Sequence, residues 1–205
     1  IMSSIGDPEE SIRSTVANLL DGMVKVAGLG CSPRLLPHLI ELLDSSGDAA
    51  SGALSALDFL IEDRLNEFLE PANVASFNIL IPKLIDKFPS NIEKHRIHAM
   101  NALNQFLIQP AELHPILQAN LSRYMQAVFY LAANDESVEV RQLICIAFSG
   151  FVQRTPQEIY QYLGNIIQYM MALTNTQVDD RLSLEACEFW TILTKVHREH
   201  SHQIL

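Results

Sequence analysis

The sequence has no apolar run that approaches the roughly 18 to 20 residues needed to cross a membrane as a helix. It also has few backbone breakers, with 8 Gly and 9 Pro in 205 residues. Hydrophobic residues make up 48% of the chain, which excludes a disordered or fibrous protein. No segment sustains the alternation of apolar and polar residues that is typical of β-strands. The chain is long enough for one ordinary domain or about five two-helix repeats.

Cysteine is scarce and its spacing does not suggest disulfides. Cys31, Cys145 and Cys187 are an odd number and lie far apart in the sequence. This pattern fits free thiols in a reducing compartment better than a disulfide framework. The first six residues have neither the charged segment nor the long apolar core of a secretory signal peptide. Because a natural start at Ile1 would be unusual, we interpret the chain as part of a longer protein.

Basic residues are outnumbered, with 14 Lys and Arg against 24 Asp and Glu, for a net charge of −10. Nucleic acid and anionic membranes require a basic surface, so neither is expected as a partner. Residues 1–70 contain twelve acidic and four basic side chains, which leaves −8 of the −10 in the first third. A basic protein partner would suit this segment, although a solvated acidic face is the commoner explanation.

Apolar residues recur at helical spacing along the chain, as in residues 35–43, which indicates amphipathic helices. Residues suited to begin a helix also recur at intervals of 41, 42, 45 and 41 residues: Asp7, Asp48, Ser90, Asp135 and Thr176. We call these five the helix-start residues. Their spacing matches the 40–47 residues of HEAT and armadillo repeats. The sequence therefore predicts an all-α fold, an α-solenoid in which antiparallel helix pairs stack as a right-handed superhelix and second helices line the concave side.

We expect one solenoid and not several domains, because isolated helix pairs of this size cannot bury their apolar faces. The predicted units are a partial repeat at 1–30, full repeats at 31–71, 72–112, 113–154 and 155–198, and then the start of a further repeat. The predicted first helices cover 34–45, 76–88, 117–132 and 158–173.

A ladder of charged residues is a second HEAT-like feature. Six residues after the helix-start residues stand Arg13, Leu54, Arg96, Arg141 and Leu182. In this pattern the aspartate accepts N–H bonds at its own helix start and pairs with the guanidinium of a neighbouring repeat. Two repeats contain both residues of the pattern: Asp7 with Arg13, and Asp135 with Arg141. The repeat of Asp48 has no arginine six residues later, and in the repeat of Arg96 the helix-start residue is a serine. The sequence predicts a partial ladder, with Asp135 as the cap of its helix.

No constellation of residues points to an enzyme, a cofactor or a metal. His197, His200 and His202 lie close together, but no Cys or carboxylate accompanies them at a zinc-ligand spacing. Cys145 and Cys187 are each expected to face an apolar core, and neither has a histidine at helical spacing to activate it. No phosphate-binding or dinucleotide-binding loop is present. We expect no catalytic residue, no cofactor and no metal site.

Polar stripes on the predicted second helices are the best candidates for binding. At helical spacing, one exposed face per helix would carry these residues: Asn18, Asp21 and Lys25; Ser51, Ser55, Asp58 and Glu62; Lys94, His98, Asn101 and Gln105. His95, close to His98, is also expected on a polar face. Consecutive stripes on the concave side of a solenoid would form one extended protein-binding surface. For each residue alone, a merely solvated position is the commoner explanation.

Several segments resemble the transportin family of karyopherin-beta nuclear import receptors. They include Phe77-Asn78-Ile79-Leu80-Ile81-Pro82-Lys83 and, above all, Leu184-Glu185-Ala186-Cys187-Glu188-Phe189-Trp190. The resemblance extends over nearly the whole chain and suggests the amino-terminal portion of a fungal-type member, about its third to sixth repeats and the start of a seventh. Residues 47–75 match least well.

The resemblance implies a non-catalytic receptor that shuttles between cytoplasm and nucleus. Family members carry cargo with proline-tyrosine nuclear localisation signals, contact nucleoporins in the pore and release the cargo when Ran-GTP binds. The amino-terminal arch holds Ran through second helices, so this chain would contribute to the Ran surface and not to the main cargo groove. A different class of protein, a HEAT scaffold such as a phosphatase regulatory subunit, is the alternative. Nucleotide-dependent binding of Ran separates the two.

Overall fold

The computed structural model describes residues 2–108, 115–154, 159–174 and 179–202, with side chains described as far as residue 196. These residues form helices and no strand. In chain order the α-helices are α1 (Glu10–Ala27), α2 (Leu35–Leu42), α3 (Asp48–Phe68), α4 (Val74–Ile85), α5 (Glu93–Ile108), α6 (Pro115–Asn134), α7 (Val138–Arg154), α8 (Leu163–Thr174) and α9 (Asp180–His202). Short 3-10 helices occupy Met2–Ser4, Leu29–Cys31 and Tyr160–Tyr162.

The helices form two layers that share one core. In the second-helix layer α1 packs on α3, α3 on α5, α5 on α7 and α7 on α9. In the first-helix layer α2 packs on α4 and α4 on α6, and each first helix also packs on the second helix of its pair. The expected all-α solenoid of stacked helix pairs is confirmed. Helix α9 continues to His202, past the predicted repeat boundary at 198.

Aromatic rings join the core from one repeat to the next. The ring of Tyr124 lies 5.6 Å from that of Phe88 and 4.9 Å from that of Phe151, edge to face in both cases. The buried Tyr124 hydroxyl donates to the Asn104 side-chain oxygen at 2.9 Å, and Asn104 donates to the Leu143 carbonyl at 3.0 Å. These bonds satisfy polar groups inside an apolar interior, where unpaired groups would be costly.

Three of the helix-start residues, Asp7, Ser90 and Asp135, lie in the turn before a second helix and do not cap it. The Asp7 carboxylate accepts from the Glu9 N–H at 2.9 Å, and the Asp135 carboxylate accepts from the Ser137 N–H at 3.0 Å. Such i-to-i+2 bonds are Asx turns that lead into a helix. For α7, the side chain that accepts from an N–H of the first turn is Ser137, whose hydroxyl accepts from Val140.

The prediction that Asp135 caps α7 is therefore wrong by two residues. Asp48 is also not a cap, since it is the first residue of α3 and Gly47, with φ of 71°, precedes it. Glycine tolerates this positive φ because it has no Cβ. Thr176 lies outside the described residues.

The charged ladder exists, and its rungs join an arginine to an aspartate of a neighbouring repeat, as the sequence pattern predicts. Arg13 forms an ion pair at 2.9 Å with Asp48 of the next repeat, and Arg96 forms a two-pronged pair at 2.6 and 3.2 Å with Asp135 of the next repeat. Each arginine also donates to the carbonyl of its own helix-start residue: Arg13 to Asp7, Arg96 to Ser90 and Arg141 to Asp135. The arginine of one repeat thus binds the aspartate of the following repeat.

This arrangement corrects the prediction of which residues take part in the ladder. The Asp7 and Asp135 carboxylates do not pair with the arginines six residues after them, which instead bind the backbone carbonyls. Asp48 and Arg96, which looked unmatched in the sequence, complete the two rungs described above. The reason is that the rung joins adjacent repeats, so the pattern within one repeat does not decide it.

Candidate protein-binding surface

A groove of about 340 Å³ runs across the first turns of the second helices. The residues three or four positions after successive helix-start residues line it: Glu10 on α1, Ser51 on α3, Lys94 on α5 and Glu139 on α7. Glu10 and Lys94 form an ion pair that crosses α3. The groove therefore lies on the second-helix layer and spans neighbouring repeats.

The chemistry of the groove suits a polypeptide segment. Phe59 and Ile97 supply apolar contact area, while Ser14, Ser55 and His98 supply hydrogen-bonding groups. The rim carries both charge signs, so it can bind polar partners without a strong preference for one sign. The predicted stripes missed Glu10 and Glu139, although the recurrence of polar residues just after each helix start was a usable signal.

The predicted stripe on α1 forms part of an ion-pair network with α3. Lys25 contacts Asp21 at 3.3 Å and also pairs with Asp63. The hydrogen bond that Lys25 donates to Asp63, followed by the one it donates to Asp21, raises the pKa of Lys25, and Lys25 in turn lowers the pKa of Asp63. Arg64 donates to the Lys25 carbonyl at 2.7 Å, at a point where its non-helical backbone bends α3. The network therefore ties the ends of two repeats together.

Two residues of the predicted α3 stripe are buried. Asp58 is only 4% exposed and Ser55 7% exposed, so the prediction of one open polar face along α3 is wrong. The cause is that α3 packs against α1 on one side and α5 on the other. The Asp58 carboxylate lies 2.8 Å from Nδ1 of His98. Burial raises the pKa of Asp58, and the hydrogen bonds from His98 and Asn101 oppose that shift.

The other predicted residues are scattered. Asn18 is exposed and donates to the Ser14 carbonyl of its own helix at 2.9 Å. Glu62 is exposed and has no ion-pair partner among the described residues. Gln105 is half-buried on α5. Of the predicted stripe residues, the structure brings four to the groove: Ser51, Ser55, Lys94 and His98.

A second cavity, of about 530 Å³, lies between the α4–α5 turn and the α6–α7 turn. The Arg96–Asp135 rung lies at this cavity, with Pro89 and the half-exposed Tyr130 ring on either side. The guanidinium of Arg96 and the carboxylate of Asp135 are paired with each other. The cavity is thus a polar recess at the edge of the stack.

The described residues offer little reactive chemistry. Cys145 is buried, and burial raises the pKa of its thiol to about 12, which leaves it protonated and unreactive. Cys187 is exposed, contrary to the expectation that it faces the core. Within the described part of the chain, no three or more His, Cys, Asp or Glu residues are placed to hold a metal ion. The side chains of His197, His200 and His202 lie outside that part.

Across the described helices, none is both long enough and apolar enough to span a membrane.

Comparison with solved structures supports the fold. A crystal structure of importin beta superposes with a TM-score of 0.73 at 14% identity, over 95% of this chain and 22% of that one. A designed armadillo repeat protein superposes with a TM-score of 0.68 at 15% identity, over 94% of this chain and 80% of that one. At such low sequence identity, these matches support the helical-repeat architecture alone. No protein-family profile matches the chain.

Curated sequences give closer relatives. The chain is 33% identical over 195 residues to mouse transportin-1, 31% identical over 196 residues to Dictyostelium discoideum transportin, and 31% identical over 198 residues to importin subunit beta-2 of Schizosaccharomyces pombe. Each match covers 95% of this chain, which spans about one fifth of the length of these relatives (20–21%). Over the part of those proteins that it matches, the chain belongs to the transportin, or importin beta-2, family of helical-repeat proteins.

Proposed function

We propose that the chain is part of a nuclear import receptor and acts as a non-catalytic scaffold that binds other proteins. The observation that carries the proposal is the similarity to transportins and importin beta-2 over 95% of the chain. In the full-length protein, this segment contributes to the surface for Ran-GTP, while cargo with proline-tyrosine signals and nucleoporins bind through the whole receptor. Such a receptor shuttles between cytoplasm and nucleus.

The architecture supports a binding role of this kind. The second helices present a continuous layer with a groove, and the groove combines apolar area with charged rim residues. Extended concave surfaces are how stacked repeats generally hold protein partners. The acidic surplus of residues 1–70 favours a basic patch on the partner.

The test of the proposal is whether binding depends on the nucleotide. The full-length protein that contains this chain is immobilised and exposed to Ran loaded with GTP or with GDP. Strong binding of the GTP form and weak binding of the GDP form is the expected result. Equal binding, or none, would overturn the proposal and favour a scaffold of another class.

Charge reversal tests which layer faces Ran. Glu62→Lys changes an exposed residue of the second-helix layer, and Glu41→Lys changes an exposed residue of the first-helix layer as a matched control. Because peripheral charges mainly steer encounter, Glu62→Lys should lower the association rate and flatten its dependence on ionic strength. Glu41→Lys should leave both unchanged. Asp58 is unsuitable for this test because it is buried.

A further inference from the structure

The charged ladder lacks a rung at the junction between α3 and α5. Leu54 occupies the position in α3 that corresponds to Arg13 and Arg96, and it is buried in the core. The matching residue of the next repeat is Ser90, which has no carboxylate. No arginine–aspartate pair can therefore form here.

His95 fills the place of the missing rung. It is 5% exposed, and its Nε2 lies 2.7 Å from the Ser51 hydroxyl of α3. Its Nδ1 lies 3.3 Å from the Ser90 hydroxyl, in the turn that leads into α5. A neutral imidazole thus joins two repeats where an ion pair joins their neighbours.

The surrounding hydrogen bonds assign the proton on this ring. The Ser51 hydroxyl donates to the Gly47 carbonyl at 3.1 Å, and with that bond made it accepts from Nε2–H of His95. The Ser90 hydroxyl oxygen accepts from the Ile92 N–H at 3.2 Å, and its own hydrogen is free to donate to Nδ1. In this arrangement every donor has an acceptor and Nδ1 carries no proton.

A second proton on His95 would be poorly accommodated. A proton on Nδ1 would prevent this nitrogen from accepting the Ser90 hydroxyl hydrogen. It would also place a positive charge in a nearly buried site. Burial, then the charges of Lys87 in the turn after α4 and of His98 on α5, lower the pKa of His95. On α5 itself, the exposed Glu93 precedes His95 by two positions. The helices packed at this end of α5 contribute Asp58 of α3, which contacts His98, and the ion pairs Glu10–Lys94 and Arg13–Asp48 that involve α1.

We propose that the junction between α3 and α5 is a pH-sensitive joint of the solenoid, closed by neutral His95 and loosened when His95 is protonated. The two neighbouring junctions carry charged rungs, Arg13–Asp48 and Arg96–Asp135, which mild acid does not break. Acidification would therefore weaken this one junction while its neighbours hold.

The direction of the effect follows from linkage. The unfolded chain binds a proton on His95 near the ordinary pKa of 6.5, and the folded chain only at lower pH. Below 6.5 the unfolded state therefore binds more protons, and stability falls as the pH falls toward the folded pKa. Above 6.5 the contribution is constant.

The first measurement is an NMR titration of the histidines in the 205-residue chain. We expect His95 to titrate below the ordinary histidine pKa of 6.5 and the backbone signals of Ser51 and Ser90 to shift with it. A His95 midpoint at or above 6.5 would overturn the proposal.

The second measurement compares urea midpoints between about pH 7 and about pH 5, the range in which histidines titrate. The wild-type midpoint should fall with pH, and His95→Gln should reduce that fall while the Asp58–His98 pair stays in place. Ser90→Asp puts a carboxylate beside Nδ1 of His95, which favours the imidazolium. The urea midpoint of this variant should therefore stay constant or rise as the pH falls over the same range. Ser90→Asn, which keeps a turn-forming side chain without charge, should behave like wild type. Equal falls in wild type, His95→Gln and Ser90→Asp would refute the joint.

Discussion

Gly52 allows the N-terminal segment, residues 2–6, to lie directly on helix α3. A Cβ atom at Gly52 would lie 1.8 Å from the Ile5 carbonyl oxygen and 2.9 Å from the Ile5 carbonyl carbon. Both are backbone atoms, so they cannot turn aside as the tip of a side chain can. In Gly52→Ala the segment must therefore move off α3, which exposes the Ile5 side chain that is now buried.

Two effects of Gly52→Ala oppose each other. Alanine stabilises the interior of a helix by about 1 kcal/mol relative to glycine. Exposure of the buried Ile5 side chain costs roughly 1.5–3 kcal/mol. If the segment stayed in place instead, steric strain would cost roughly 1–3 kcal/mol. We expect Gly52→Ala to lower the free energy of unfolding by about 0.5–2 kcal/mol.

Urea denaturation with a matched control distinguishes the contact from helix propensity. Gly22 lies in α1, and a Cβ there would meet nothing within 4 Å, so Gly22→Ala should stabilise the chain by roughly 0.5–1 kcal/mol. In a chain that lacks residues 1–6, Gly52→Ala should likewise become stabilising. If Gly52→Ala in the full chain stabilises as much as Gly22→Ala, the close backbone approach does not exist and the reasoning fails.

Three further predictions concern the ladder, the thiols and the cargo. Asp135→Ala should lower the free energy of unfolding by roughly 3–5 kcal/mol because it leaves Arg96 without its buried partner. Asp48→Ala removes a half-exposed partner of Arg13 and should lower it by less than about 1 kcal/mol. Equal losses for the two variants in urea denaturation would contradict the ladder. A thiol reagent should react with the two exposed cysteines of the folded chain and with Cys145 only after unfolding, and rapid reaction of all three would contradict the burial of Cys145. A proline-tyrosine signal peptide should show no sub-micromolar binding to this chain by calorimetry, because the proposed cargo groove lies in another part of the receptor.

The sequence alone determined the kind of fold and its approximate repeat. Helical periodicity and turn-forming residues are encoded within a few neighbouring positions, so the recurrence of Asp7, Asp48, Ser90 and Asp135 was visible without a structure. The burial of Cys145 followed from the apolar helix around it. The prediction that these residues cap their helices failed by a few positions, because an Asx turn and a helix cap draw on the same residue types.

Only the tertiary structure decided which residues meet across repeats. Arg96 pairs with a carboxylate 39 positions away, His98 contacts Asp58 40 positions away, and His95 contacts Ser51 44 positions away. No local pattern specifies such partners, since they depend on how far one helix is shifted along the next. The same holds for Asp58: its spacing on α3 suits a polar face, yet α1 and α5 cover that face from both sides. Burial of a helix in the middle of a stack is set by its two neighbours, and its own sequence carries only part of that information.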